Sequence, residues 1–238
     1  MVRDPTEVFT RAVQPLLWLL IFGQVFARTR AIPTGPLTYL EFMAPGILAQ
    51  SVLFTAIFYG IAIIWERDLG IVQKLLASPS ARTALVAGKA AAAGVRTLSQ
   101  AVIIIVFALV LGVHVRLDPL SLFGVAAAVV LGGALFATFS LINACVVKTR
   151  ERFMGIGQLL TMPLFFASNA IYPISLMPRW LGAVAGVNPL TYLVNALREL
   201  MIQGGSSTVG VPADIAVLGT VFVILIAIGA ALYPGIVR

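Results

Sequence analysis

The chain has one cysteine and one histidine, and only 11% of its 238 residues are charged. A single cysteine, Cys145, excludes a disulfide framework within the chain. Its place inside an apolar run reads as a small core hydrophobe. The one histidine, His114, leaves no His–Cys zinc cluster, no metalloprotease motif and no plausible nucleophile triad. Gly88-Lys89 resembles the end of a phosphate loop, but that loop needs Gly at 83 and Ser or Thr at 90. Those positions hold Thr83 and Ala90. The chain therefore has no ATPase site, and the energy for any work it does comes from elsewhere. A net charge of +7 raises the question of nucleic acid. The Lys and Arg residues lie between apolar runs, with no basic stripe interleaved with aromatics, so no nucleic-acid partner is expected.

What the chain holds instead is apolar length. Hydrophobic residues make up 60% of it, and the mean hydropathy is +1.03. A bilayer-spanning helix needs roughly 20 mostly apolar residues. Six segments qualify, at about 12–27, 42–64, 97–113, 119–147, 153–173 and 215–237. None alternates as a barrel strand would. An all-α membrane protein with six transmembrane helices is expected, with 1–238 forming one transmembrane domain.

The cations give it an orientation. Eleven fall on the side of the N-terminus: Arg3, Arg11, Arg67, Lys74, Arg82, Lys89, Arg96, Lys148, Arg150, Arg152 and Arg238. Five fall opposite: Arg28, Arg30, Arg116, Arg179 and Arg198. The bias places both termini and the 65–96 loop in the cytoplasm. Arg3, Arg11 and the small residues near Ala27 and Ala31 also suit a signal peptide, but Asp4, Glu7 and Pro15 fit one poorly. The true start can also lie upstream.

No ionisable side chain falls in the middle of any span. His114, beside Arg116 and Asp118, is expected at the interface rather than in a proton path. A proton-coupled carrier is thus disfavoured, and no inverted repeat speaks for a sodium-coupled one. Gln50, Ser51, Asn143, Ser168 and Asn169 have two readings, as interhelical hydrogen bonds or as the lining of a translocation path. Gly132, Gly133, Gly155 and Gly157 are expected to allow close helix packing.

The loop WERDLGIVQKLLASPSARTALVAGKA carries most of the polar chemistry. Trp65 is expected to close the second span, with Glu66, Arg67 and Asp68 at the start of a short helix. Leu69, Val72 and Leu76 form its apolar stripe, and Arg67 shares another face with Lys74. Pro79 ends it, and Ser78-Pro79 reads as the cap and first residue of the next helix. From the residues alone, such a helix either anchors to headgroups or docks a soluble partner.

On Glu66, Arg67, Gly70, Leu75, Leu76, Ser78, Pro79 and Gly88-Lys89, this loop resembles that of ABC-2-type permeases, especially the daunorubicin and multidrug exporter branch. Ala81-Arg82 stands slightly offset from the family's Ser-Arg. NAIYPISLMPRWLGAVAGVNPLTYLVNALRELM, from Asn169 to Met201, is similar to the family's segment between spans five and six. The resemblance implies that Glu66, Arg67, Asp68, Gly70, Lys74, Leu75, Leu76 and Pro79 form a cytoplasmic coupling helix seated in an ATP-binding subunit. It also implies a re-entrant external helical hairpin built on Tyr172, Pro173, Pro178, Asn188, Pro189, Tyr192 and Arg198. Prolines that break the helix repeatedly fit that hairpin, as does an amphipathic helix opened by Asn188-Pro189.

The expected function is the permease subunit of an exporter in the plasma membrane, itself no enzyme. Two ATP-binding subunits would carry the ATP and magnesium, and a second permease, identical or related, would complete it. The cargo is expected to be hydrophobic or amphipathic (a drug, antibiotic or lipid-like compound), with a lipid-linked glycan or polysaccharide as the alternative. A stand-alone ion-coupled carrier or a membrane scaffold would not need this loop.

Overall fold

The structure is a computed structural model that describes residues 13–29, 32–79, 81–147 and 149–237. The leader reading at Arg3 and Arg11, and the contributions of Arg30, Lys148 and Arg238 to the charge count, lie outside those residues. Among the described residues nine α-helices and no strand appear. They are α1 (13–29, with a π-helical turn over Trp18–Phe22), α2 (Tyr39–Asp68), α3 (Ile71–Leu76), α4 (Arg82–Val110) and α5 (Pro119–Val146), then α6 (Arg150–Phe166), α7 (Arg179–Val187), α8 (Pro189–Met201) and α9 (Val211–Leu232). Short 3₁₀ turns cover Ile174–Leu176 and Tyr233–Val237.

Four helices, α2, α4, α5 and α9, are long and apolar enough to cross a membrane. Helices α1 and α6 have 17 residues each, a rise of roughly 25 Å against a hydrocarbon core of about 30 Å. The fifth apolar segment thus ends as a helix at Phe166, seven residues before the expected Pro173. Hydropathy did not reveal this because Ala167, Ala170 and Ile171 continue the apolar composition through a turn. The sixth begins at Val211 rather than Ile215, so its first turn includes Asp214.

Local chemistry fixes the helix starts. Thr38 and Glu41 form a reciprocal capping box at α2. Asp118 caps α5 by accepting the Ser121 N–H at 2.9 Å, and that bond holds its carboxyl below the usual carboxylate range. Thr149 caps α6. Asn188 caps α8 by accepting the Leu190 N–H, and its amide donates to the Leu164 and Ala167 carbonyls at 2.7 and 3.1 Å. One side chain therefore starts α8 and closes α6.

Helix α5 runs through the middle, packed by α4, α2, α9 and α8. A Cβ at Gly132 would press on Leu193, and one at Gly133 on Thr97. At Gly94 it would collide with the Val130 carbonyl, and at Gly46 with the backbone of Ala170. The expectation of close packing thus holds at Gly132 and Gly133, and Gly157 touches Ile57, but Gly155 faces open space. Outward faces remain apolar, with Val102, Val106, Leu159, Val223 and Ile224 exposed. In water such surface marks an interaction site, and in a bilayer it is the lipid face.

Asn188→Ala should lower stability by roughly 2–4 kcal/mol, since a cap and two buried hydrogen bonds go together. Gly155→Ala should leave stability unchanged or raise it by up to about 1 kcal/mol through helix propensity. Thermal unfolding of the detergent-solubilised protein measures both.

Candidate functional site

Helix α2 does not stop at Trp65. Nothing breaks its hydrogen bonding until Gly70, whose φ of 73° turns the chain. Glu66, Arg67 and Asp68 are therefore the last turn of α2 and not the start of the next helix. Carboxylates there oppose the helix dipole, and cations brought from other helices offset them. Lys89 of α4 donates to Glu66. Arg150, at the start of α6, reaches Asp68 at 2.7 Å, while Arg67 meets the same carboxylate at 3.0 Å. The Arg150 guanidinium also lies 4.1 Å from the Trp65 ring centroid. Three helices are joined at this end by charges on α2.

Helix α3 has six residues, too few to stand alone. It is held by Val72, fully buried among Ile63, Ile64, Val86, Leu141, Phe153 and Tyr233, with Leu76 packed beside it. Leu69 does not join that stripe: it caps α2 with non-helical backbone and is 67% exposed. For the same reason Arg67 and Lys74 do not share a face, one lying on α2 and the other on α3. Ser78 does not open the next helix either. Its hydroxyl donates to the Leu75 carbonyl at 2.7 Å and closes α3, Pro79 follows in a bend, and α4 begins at Arg82 behind an unassisted Ala81. The outward surface of this end includes Trp65, Leu69, Ile71, Gln73, Lys74 and Pro79.

The opposite end is polar but covered. Asn169, Asn195 and Arg198 are buried. The Asn169 amide donates to the Asn195 side-chain carbonyl at 2.6 Å, and the Asn195 amide to Thr208 at 2.8 Å. Arg198 donates to the Asn169 backbone carbonyl at 2.8 Å and lies 4.0 Å from the Phe42 ring centroid, so it clamps the 167–171 turn onto α2. The Ser207 hydroxyl donates to the wholly buried Asp214, and its N–H to Glu199. Tyr172 and Tyr192 each donate to a carbonyl six residues back, those of Phe166 and Gly186. Pro173 and Pro178 precede the 3₁₀ turn and α7, and Pro189 opens α8, whose Leu190, Leu193, Val194 and Leu197 are all buried. His114 is exposed, and its Nδ1 lies 2.7 Å from Glu41.

Of the candidate path residues, Gln50, Ser51, Ser168 and Asn169 are buried within the chain. The Ser51 hydroxyl donates to the Ile47 carbonyl one turn back within α2, and the Ser168 hydroxyl to the Phe165 carbonyl at the end of α6. Asn143 sits near the other end of α5 and donates to Phe139, so the five do not converge. Sequence reasoning missed Asn195 and Asp214, single polar residues flanked by apolar ones. It also missed the Glu66–Lys89 pair, although Tyr59 with Glu66 and Lys89 with Arg96 repeat at seven residues on adjacent antiparallel helices.

The profile of the ABC-2 type transporter family matches residues 1–202, ending before α9. A transport permease, ycf38, of Cyanophora paradoxa is 29% identical over 204 residues, covering 83% of this chain and 69% of that protein. The daunorubicin resistance ABC transporter permease protein DrrB1 of Streptomyces coeruleorubidus is 25% identical, with 83% and 69% covered. The inner membrane transport permease YadH of Escherichia coli K12 is 24% identical, with 76% and 70% covered.

Val72→Ala should cost roughly 1–3 kcal/mol by opening a cavity under α3, and trypsin should then cleave within 67–82 faster than in the parent. Lys74→Gln should stay within about 0.5 kcal/mol. Thermal unfolding and timed proteolysis check the pair.

Proposed function

The chain belongs to the ABC-2 type transporter family, an integral membrane permease rather than a catalytic enzyme, and we propose that it is the permease subunit of an ATP-driven exporter. Family membership carries the reading. The shape of the 66–77 end supports it, because an exposed apolar step at Leu69 and Ile71 stands on a helix tied by charge to α4 and α6. Family permeases work with an ATP-binding subunit. In our reading α3 and the end of α2 seat in that subunit, which carries the ATP and magnesium. Two such subunits would serve two permease chains, identical or related.

The apolar segments supply six crossings, the shorter α1 and α6 included, with both termini in the cytoplasm of a plasma-membrane protein. A movement of the docked ATP-binding subunit would reach the bundle by two routes, through Val72 into the apolar cluster and through Asp68 to Arg150. At the far end, α7 and α8 would be the re-entrant external pair, pinned by Asn188 and Arg198. Gln50, Ser51, Ser168 and Asn169 would meet cargo when α2 parts from the 167–171 turn, with Asn143 nearer the entrance. A cargo that is hydrophobic or amphipathic suits these mostly apolar surfaces, and the drug-resistance permease among the relatives points the same way.

Docking is tested best at residues on which the fold does not depend. Glu66 and Gly70 support the fold, so their replacement would disturb α2 and α3 even without a partner. Leu69→Asp with Ile71→Asp alters only exposed positions. Tagged full-length chain in mild detergent should co-purify a protein that carries a phosphate loop and hydrolyses ATP. The double variant should capture at least about tenfold less, as expected when an apolar anchor worth more than about 1.4 kcal/mol is lost. Equal capture by both forms would sink the docking role.

A further inference from the structure

Arg96 sits on α4 at the edge of an apolar outward face that carries Val95, Val102, Val106 and Val110, and it is itself exposed. From Arg96 to Val110 the helix rises roughly 21 Å, against a hydrocarbon core of about 30 Å. With the turn at Leu111 and Gly112 near one boundary, Arg96 lies roughly 9 Å inside the other. A guanidinium at that depth carries its stem along apolar surface and reaches back toward the headgroups.

Its neighbours set what it meets there. Antiparallel α2 and α4 bring Glu66 opposite Lys89 and Tyr59 opposite Arg96. Glu66 is taken by Lys89. Among the described residues the charged end of Arg96 meets only the Tyr59 ring, 5.8 Å from its centroid. The crevice between the two helices thus holds one paired cation and, about two turns deeper, one without an anion. Ala92 and Ser99, exposed beside Arg96, leave room above it. The anion that a guanidinium extended toward the headgroups meets is a lipid phosphate, which its fork matches with two parallel hydrogen bonds.

We propose that the α2–α4 crevice at Arg96 is a binding site for an anionic phospholipid of the leaflet on the loop side. The phosphate bonds Arg96, the Tyr59 ring forms the floor, and the acyl chains lie along Val102 and Val106. The site depends on integral membrane placement and not on the ATP-binding partner, so its failure leaves the transport reading standing.

The test is native mass spectrometry of the full chain in detergent, titrated with phosphatidylglycerol or phosphatidylcholine. The parent should hold phosphatidylglycerol about tenfold more tightly than phosphatidylcholine, as one bidentate charged contact provides. Arg96→Gln should abolish that preference, Arg96→Lys should keep about a third of it, and Arg116→Gln at the opposite end should leave it intact. Retention of the Lys variant's preference also shows that the fold survives substitution. An unchanged preference in Arg96→Gln, or none in the parent, overturns the proposal. Displacement of the lipid by an equal concentration of glycerol phosphate also overturns it, since the site would then read a free phosphate and not a lipid.

Discussion

The close approach of helices along α5 is the constraint on which the rest of the structure rests. Lipid chains are as apolar as leucine, so burial alone gives little force between helices in a bilayer, and tight packing with a few hydrogen bonds must supply it. Gly132 receives Leu193 of α8, Gly133 receives Thr97 of α4, and Ser140 bonds α2 at the Ile57 carbonyl and the Gly60 N–H. Thr97 also donates across to Val129 at 3.2 Å. Because these contacts are backbone-close, α2, α4 and α8 cannot slide along α5 without steric penalty. They rotate or part, or they stay.

That restriction gives the two ends their different characters. At the loop end, charges on α2 reach α4 through the largely covered Lys89–Glu66 pair and α6 through the exposed Arg150–Asp68 pair, the second worth little and easily exchanged. At the far end the polar groups are buried and bonded in a chain from Asn169 to Thr208, with Asn188 and Arg198 tying three segments together. Breaking a buried contact of that kind strands its partner and costs more. Opening the far end thus costs more, and the loop end rearranges more readily.

How much of this could be read from the sequence follows from the same physics. Helices α2, α4, α5 and α9 were legible because twenty apolar residues in a row have few other uses. The amphipathic α8 was legible from Asn188-Pro189 and the spacing of Leu190, Leu193, Val194 and Leu197. The 66–79 loop was legible in its motif and misread in its geometry. Hydropathy ends a helix where charge begins, whereas hydrogen bonding carried α2 on to Asp68 until Gly70 turned the chain. Ser78 before Pro79 offered a cap to either side, and tertiary packing gave it to α3. The clamp made by Arg198 was hidden for a third reason, since its partners Asn169 and Phe42 lie far away in the chain.

The central claim is that α3 and the end of α2 form the seat of an ATP-binding subunit. Hydrogen–deuterium exchange of the full chain, alone and in the captured complex, tests it most directly. The account predicts slowed exchange at the amides of residues 69–77 in the complex, with the amides around Asn188 unchanged. Equal exchange at 69–77 in both states, or protection confined to the Asn188 end, would contradict it.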